Sequence, residues 1–235
     1  MLTTLLRKTC YMNYFIFWLV FALLLFIIIY SDKKYNLLRD TSTNAIKPYS
    51  FSRVQLVWWT LIVIASFISV FVLKHALPTF DASTLYLLGI STATTATATV
   101  IDLSDQKSAA LVNNGLSQNE AGENFFLDIL SDKNGVSIHR LQTVIFNLIF
   151  GVWFIIDVLH NLNIQNITGS WVNCNELATD SFCSYINSIL PAISSNNLIL
   201  LGLSSGTYAA LKATENKQTA PLVNTANSTD GEAVG

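Results

Sequence analysis

Charge is nearly absent from five stretches of this 235-residue chain, and those gaps constrain its fold more than any other feature. A helix needs roughly 20 apolar residues to cross a hydrocarbon core about 30 Å thick. The first gap runs from Cys10 to Ser31, between Lys8 and Asp32, and carries YFIFWLVFALLLFIIIY. The second lies between Arg53 and Lys74 and the third between Asp81 and Asp102. The fourth runs from Leu141 to Leu159, and the fifth from Asn197 to Leu211. Each predicts a transmembrane helix. Barrel strands are excluded because the alternating pattern is missing, and an open sheet would leave backbone groups unpaired in lipid. The third gap is rich in threonine, which lipid tolerates when each hydroxyl returns its hydrogen to a carbonyl one turn back.

Composition agrees with this reading. The chain is 51% hydrophobic and 12% charged, against roughly a quarter charged in soluble domains, which excludes a water-soluble globule. A net charge of -2 leaves no basic excess to neutralise phosphates, so no nucleic-acid partner is expected. A signal peptide competes for the first gap, because Arg7 and Lys8 precede its apolar core. The run exceeds the usual apolar region of roughly 7 to 15 residues, and no A-x-A site follows, so it is read as a retained helix.

Orientation follows from the cations. Ten of the thirteen Lys and Arg fall in residues 31–53, 102–140 and 212 onward, which five crossings place on one side. The richer side is expected to be cytoplasmic, with the N-terminus outside and the C-terminus inside.

The chain also repeats itself. SFSRVQ at Ser50 to Gln55 returns as SIHRLQ at Ser137 to Gln142, 87 positions on from Arg53 to Arg140. LPTFDASTLYLLGISTATTA from Leu77 returns as LPAISSNNLILLGLSSGTYA from Leu190, 113 positions on from Gly89 to Gly202. Each unit is a helical hairpin that starts and ends on the same side, so the two are parallel repeats. The expected fold is an all-α polytopic membrane bundle of five transmembrane helices, one N-terminal helix plus two hairpin repeats. Its parts are residues 1–31 (first helix), 32–49 (juxtamembrane linker) and 50–102 (first hairpin). They continue with 103–136 (cytoplasmic loop), 137–212 (second hairpin, external loop 161–190) and 213–235 (disordered cytoplasmic tail).

Several residues invite a role. Arg53 and Arg140 sit at the cytoplasmic boundary with Gln55 and Gln142 just inside. They read either as interface anchors with packing glue or as a ligand site. Gly202, Gly206 and Ala210, matched by Gly89, Ala93 and Thr97, recur at four-residue steps and form ridges where helices can approach closely. These are expected to face each other or their counterparts in neighbouring copies. Thr92, Thr95 and Thr99 share one stripe, which reads as close-packing surface or, in an oligomer, as the lining of a conduit. Phe125, Phe126, Ile129 and Leu130 make one face of a short amphipathic helix on the inner leaflet, or a contact for an unidentified protein partner. In an oxidising external compartment Cys174 and Cys183 are expected to form a disulfide; the reverse orientation would leave two free thiols. Asn166-Ile-Thr168 and Asn227-Ser-Thr229 match the glycosylation sequon, which has meaning only in a eukaryotic secretory path.

Catalytic signatures are missing. His75, His139 and His160 lack the spacing of a metal motif, although Asp157 and His160 are placed to share a proton. There is no G-x-S-x-G, phosphate loop, H-E-x-x-H or C-x-x-C. No enzyme, metal site or cofactor is expected; the partners are membrane lipid and further copies of the chain.

The segments PYSFSRVQLVWWT, LLGISTATTATATVID, LSDKNGVSIHRLQ and LLGLSSGTYAA resemble a family of uncharacterised bacterial integral membrane proteins. Its helix openings are similar to P-Y-S-x-x-R-x-Q and V-S-x-H-R-x-Q, and its later helices to L-G-I-S-x-G-T and M-G-I-S-S-G-T. The resemblance spans roughly residues 37 to 212, with Ala93 standing where that family often has glycine. It implies an inner-membrane location and no established activity, substrate or catalytic residue.

Overall fold

The computed structural model describes residues 2–108, 116, 119, 122–132, 135–164, 172–174 and 181–217. Both sequons lie outside these residues, as does the tail beyond residue 217. The chain is all-α: α1 (Leu2–Tyr35), α2 (Phe51–Lys74), α3 (Ala82–Gln106), α4 (Phe125–Leu130), α5 (Ile138–Ile164), α6 (Ser181–Ile189) and α7 (Ser195–Glu215). Four of them, α1, α2, α3 and α5, hold stretches long and apolar enough to cross a membrane. The helices outrun the charge gaps because a charged residue does not break a helix. Two minimal β-pairs join the connections: β1 (Ala76–Leu77) with β4 (Val172–Asn173) in parallel, and β2 (Ser131–Asp132) with β3 (Gly135–Val136) antiparallel.

Helix ends are set by local chemistry. Ser50 opens α2, and His75 closes it in the left-handed conformation with its N–H on the Phe71 carbonyl. Asp81 caps α3 by accepting from the Ser83 N–H at 2.8 Å, and Ser194 caps α7 through the Asn197 N–H. Each cap follows a proline by three residues, Pro78 and Pro191, so the chain turns into both helices in the same way. The Ser83 hydroxyl and then the Ser83 N–H, with a smaller share from the Ala82 N–H, hold Asp81 below the ordinary carboxylate range.

Packing places α2, α3, α7 and α5 in a ring in that order, with α1 laid against α2 and α5. The Ile193 N–H donates to Ser83 Oγ at the start of α3, while Asn216 Nδ2 donates to Asp105 at its end, partners 110 and 111 positions apart. Helix α7 therefore runs alongside α3, in the same direction, for its whole length. Helix α5 lies beside α2, where Trp59 Nε1 and Trp58 Nε1 donate to Asn147 from 88 and 89 positions away. These separations fall close to the offsets of 113 and 87 between similar segments of the sequence.

The main core is centred on Phe17, Trp59, Ile62, Phe154, Val158, Leu162, Ile186 and Leu201. It reaches the end that carries the Cys174–Cys183 disulfide, whose Cα atoms are 5.1 Å apart. At the opposite end, here termed the arginine end, a smaller cluster of Phe51, Ala98, Ile129 and Tyr208 closes the bundle.

Candidate functional site

The charges collect at the arginine end. Lys212 on α7 is 5% exposed, and its Nζ lies 3.0 Å from Asp102 on α3 and 3.3 Å from Asp40 in the loop after α1. Next to this triad Arg140 of α5 pairs with Glu215 of α7 at 2.8 Å, bonds the Ser131 carbonyl, and lies over the Tyr208 ring at 5.5 Å. Asn216 donates to buried Asp105 at 2.7 Å. Burial works to raise the Asp40 carboxyl, but the facing Lys212 ammonium and the bonds from Asp102 and Thr41 outweigh it and hold Asp40 below its ordinary value.

A cavity of about 120 Å³ opens beside this network, lined by Asp132, Ser137, His139, Arg140, Tyr208 and Lys212 among others. Four separate segments meet in the network, and each supplies a charge paired with one from another segment. Buried charges held this way resist separation, because removing one partner strands the other away from water. Among the described residues no group of three or more His, Cys, Asp and Glu is arranged to hold a metal ion.

A second polar array runs through the apolar interior. Gln55 Nε2 donates to Ser205 Oγ at 2.9 Å, and Gln55 is 4% exposed with its Oε1 unpartnered. Asn147 accepts from Trp59 Nε1 at 2.6 Å and donates to the Thr143 carbonyl. Thr143 meets Ser204 at 2.6 Å. These bonds join α2, α5 and α7 where lipid supplies no hydrophobic drive between helices.

The residues singled out in the sequence divide between these regions and the surface. Arg140 enters the charge network, whereas Arg53 donates to Thr41 Oγ1 at 3.3 Å and so braces the loop after α1. Gln55 is buried but its counterpart Gln142 is exposed, and the neighbouring Thr143 takes the inward place. Of the ridge residues, Gly202 is within 3.6 Å of Ile90 when given a Cβ, while Gly89 and Gly206 have nothing within 4 Å. Ala93, Thr97 and Ala210 are exposed as well. Gly89 and Ala93 line an open apolar groove of about 620 Å³ between α3 and α7, with Leu198 and Ile199 on its other wall.

In the threonine stripe, Thr95 donates to the Ser91 and Ser52 carbonyls and Thr99 to the Thr95 carbonyl. Thr92 is exposed. Asp157 accepts from Asn161 at 3.0 Å, and His160 points outward. Phe125, Ile129 and Leu130 turn inward from α4, but Phe126 is 70% exposed.

Helix content and four helices long and apolar enough to cross a membrane point to a helical membrane protein. No known family model, curated protein or solved structure matches the chain.

Proposed function

We propose that this chain is a non-enzymatic multi-pass membrane protein that self-associates and serves as a membrane scaffold, sensor or effector subunit. Five helices cross the bilayer in this reading, the fifth being α7, as one N-terminal helix and two parallel hairpins. The lengthwise pairing of α7 with α3 supports the fifth crossing, because a helix bonded to both ends of a spanning neighbour shares its depth. In this reading the arginine end faces the cytoplasm, which the cation bias supports, and the membrane is the bacterial inner membrane that the family resemblance implies. A disulfide at the opposite end fits an oxidising compartment there. The likeness to uncharacterised bacterial membrane proteins belongs to the same proposal.

The observation that carries self-association is the uncovered small-residue face. Gly89, Ala93, Thr97, Gly206 and Ala210 leave helix backbone open to close approach, and among the described residues no other helix covers them. In lipid such faces are where helices meet through van der Waals packing. Cysteines placed at Gly89 and Gly206 in native membranes are expected to give crosslinked dimers or higher species under oxidation. Recovery of monomer alone overturns the proposal. The rival reading, a conduit along Thr92, Thr95 and Thr99, draws no support from hydroxyls whose hydrogens are held by carbonyls at Thr95 and Thr99.

A further inference from the structure

We propose that α4 and the paired strands β2 and β3 form a wedge seated in the membrane interface at the arginine end, with lipid covering Phe126, Leu127, Val136 and Ile138. This inference rests on the membrane reading above and adds a lipid-contacting element outside the spans.

Helix α4 is apolar on its outer side as well as its inner one. Its one charged residue, Asp128, is half-buried, and its carboxylate accepts from the Tyr49 N–H at 3.1 Å and the Glu123 N–H at 2.9 Å. On the opposite side Phe126 is 70% exposed and Leu127 39%. A loop helix bathed in water would carry polar residues on that outer side. The residues leading into α5 continue the pattern, with Val136 at 58% and Ile138 at 78% exposed.

Position decides what covers this surface. The Ser137 N–H donates to the Leu130 carbonyl at 2.9 Å, which pins the end of α4 to the first turn of α5. Ile138 opens the outward stripe of α5 that continues through Leu141 and Ile145, at steps of three and four residues. That stripe belongs to a helix apolar enough to span the bilayer. The wedge is therefore tied, through the Ser137–Leu130 bond, to the start of a helix apolar enough to span, whose outward stripe begins at Ile138. An apolar face held in the interface plane by an adjoining span is covered by acyl chains and headgroups.

The test uses the full-length protein with Cys10→Ser, the disulfide kept, and a nitroxide attached through Phe126→Cys. It is reconstituted in vesicles of phosphatidylethanolamine and phosphatidylglycerol, with Ile149→Cys as a second labelled site within α5. Spin relaxation by oxygen reports lipid, and relaxation by a water-soluble nickel chelate reports solvent. The expected result is a severalfold oxygen preference at both sites, shallower at 126 than at 149. A nickel preference at 126 with oxygen preference kept at 149 overturns the wedge and leaves the spans standing. Shielding of 126 from both reagents also overturns it, in favour of a protein cover. Nickel preference at 149 removes the membrane reading itself. Val136→Cys repeats the measurement should the change at 126 disturb folding.

Discussion

Lys212 brings a charge on a long flexible side chain into a place where almost none of it meets water, and it is held there by carboxylates from two other segments. Replacing it with methionine keeps the volume and strands Asp40 and Asp102. Loss of one partner from a buried ion pair costs about 3–5 kcal/mol, so Lys212→Met is expected to lower thermal stability sharply in detergent or nanodiscs. Adding Asp40→Asn and Asp102→Asn to the same chain should restore most of the loss; failure of that rescue would mean the lysine acts through packing alone. The pH dependence has a definite sign. The folded Asp40 carboxyl lies below its ordinary value, so its contribution is present above the unfolded pKa of about 3.9 and is lost as pH falls through the folded value. The stability gap between wild type and Asp40→Asn should accordingly close as the sample is acidified, and a constant gap would exclude the linkage. Little of this site was legible beforehand. A search for charge gaps treats Lys212 and Asp102 as the edges of spans, and so counts as boundary markers the two residues that bind each other.

At the scale of helices, glycine positions separate packing within the chain from surface left open. A Cβ on Gly151 would sit 2.5 Å from Trp58 Nε1, inside van der Waals contact with an indole that is bonded to the Asn147 carbonyl. Gly151→Ala must push that ring aside, and a loss of about 1–3 kcal/mol is expected from overpacking. Gly206→Ala meets nothing within 4 Å; in an isolated chain it should be neutral or gain up to about 1 kcal/mol from helix propensity. Melting both variants in parallel distinguishes these cases, and a Gly151→Ala protein as stable as wild type would show that Trp58 moves freely. Gly206→Ile adds the oligomer to the test, since it should leave the monomer folded but abolish crosslinking through the ridge. The four-residue spacing identified the open ridge but passed over Gly151, because a lone glycine in an apolar run carries no pattern. Asn147 and Thr143 escaped for a similar reason: uncharged polar side chains barely lower the hydrophobicity of a span, although they supply its interhelical bonds. The repeat predicted equal roles for Gln55 and Gln142, yet α1 packs beside α2 and α5 and has no duplicate, so equivalent positions meet unequal surroundings.

For the molecule as a whole, two facts from opposite ends bear on how it sits in a bilayer. The disulfide closes a short loop at one end, and the ionic network ties the loop after α1 to α3, α5 and α7 at the other. Breaking the disulfide releases a loop of about ten residues, which chain entropy values at roughly 2.5–3 kcal/mol, so reduction should lower the melting temperature while leaving the arginine end intact. Thiol counting checks its presence: one reactive cysteine, Cys10, in the denatured unreduced protein, and three after reduction. Topology offers the more demanding test, because α7 has fewer apolar residues than the four helices that qualify as spans and yet lies along one of them. In a Cys10→Ser background, Ala45→Cys, Glu123→Cys and Lys217→Cys should react with a membrane-impermeant maleimide only after the cytoplasmic face is opened. Ser188→Cys should react in intact spheroplasts. Labelling of Lys217→Cys together with Ser188→Cys from outside would mean that α7 does not cross. The contacts of Lys212 with Asp40 and of Asn216 with Asp105 would then have to be broken in the membrane, since both hold the end of α7 against segments on the other side.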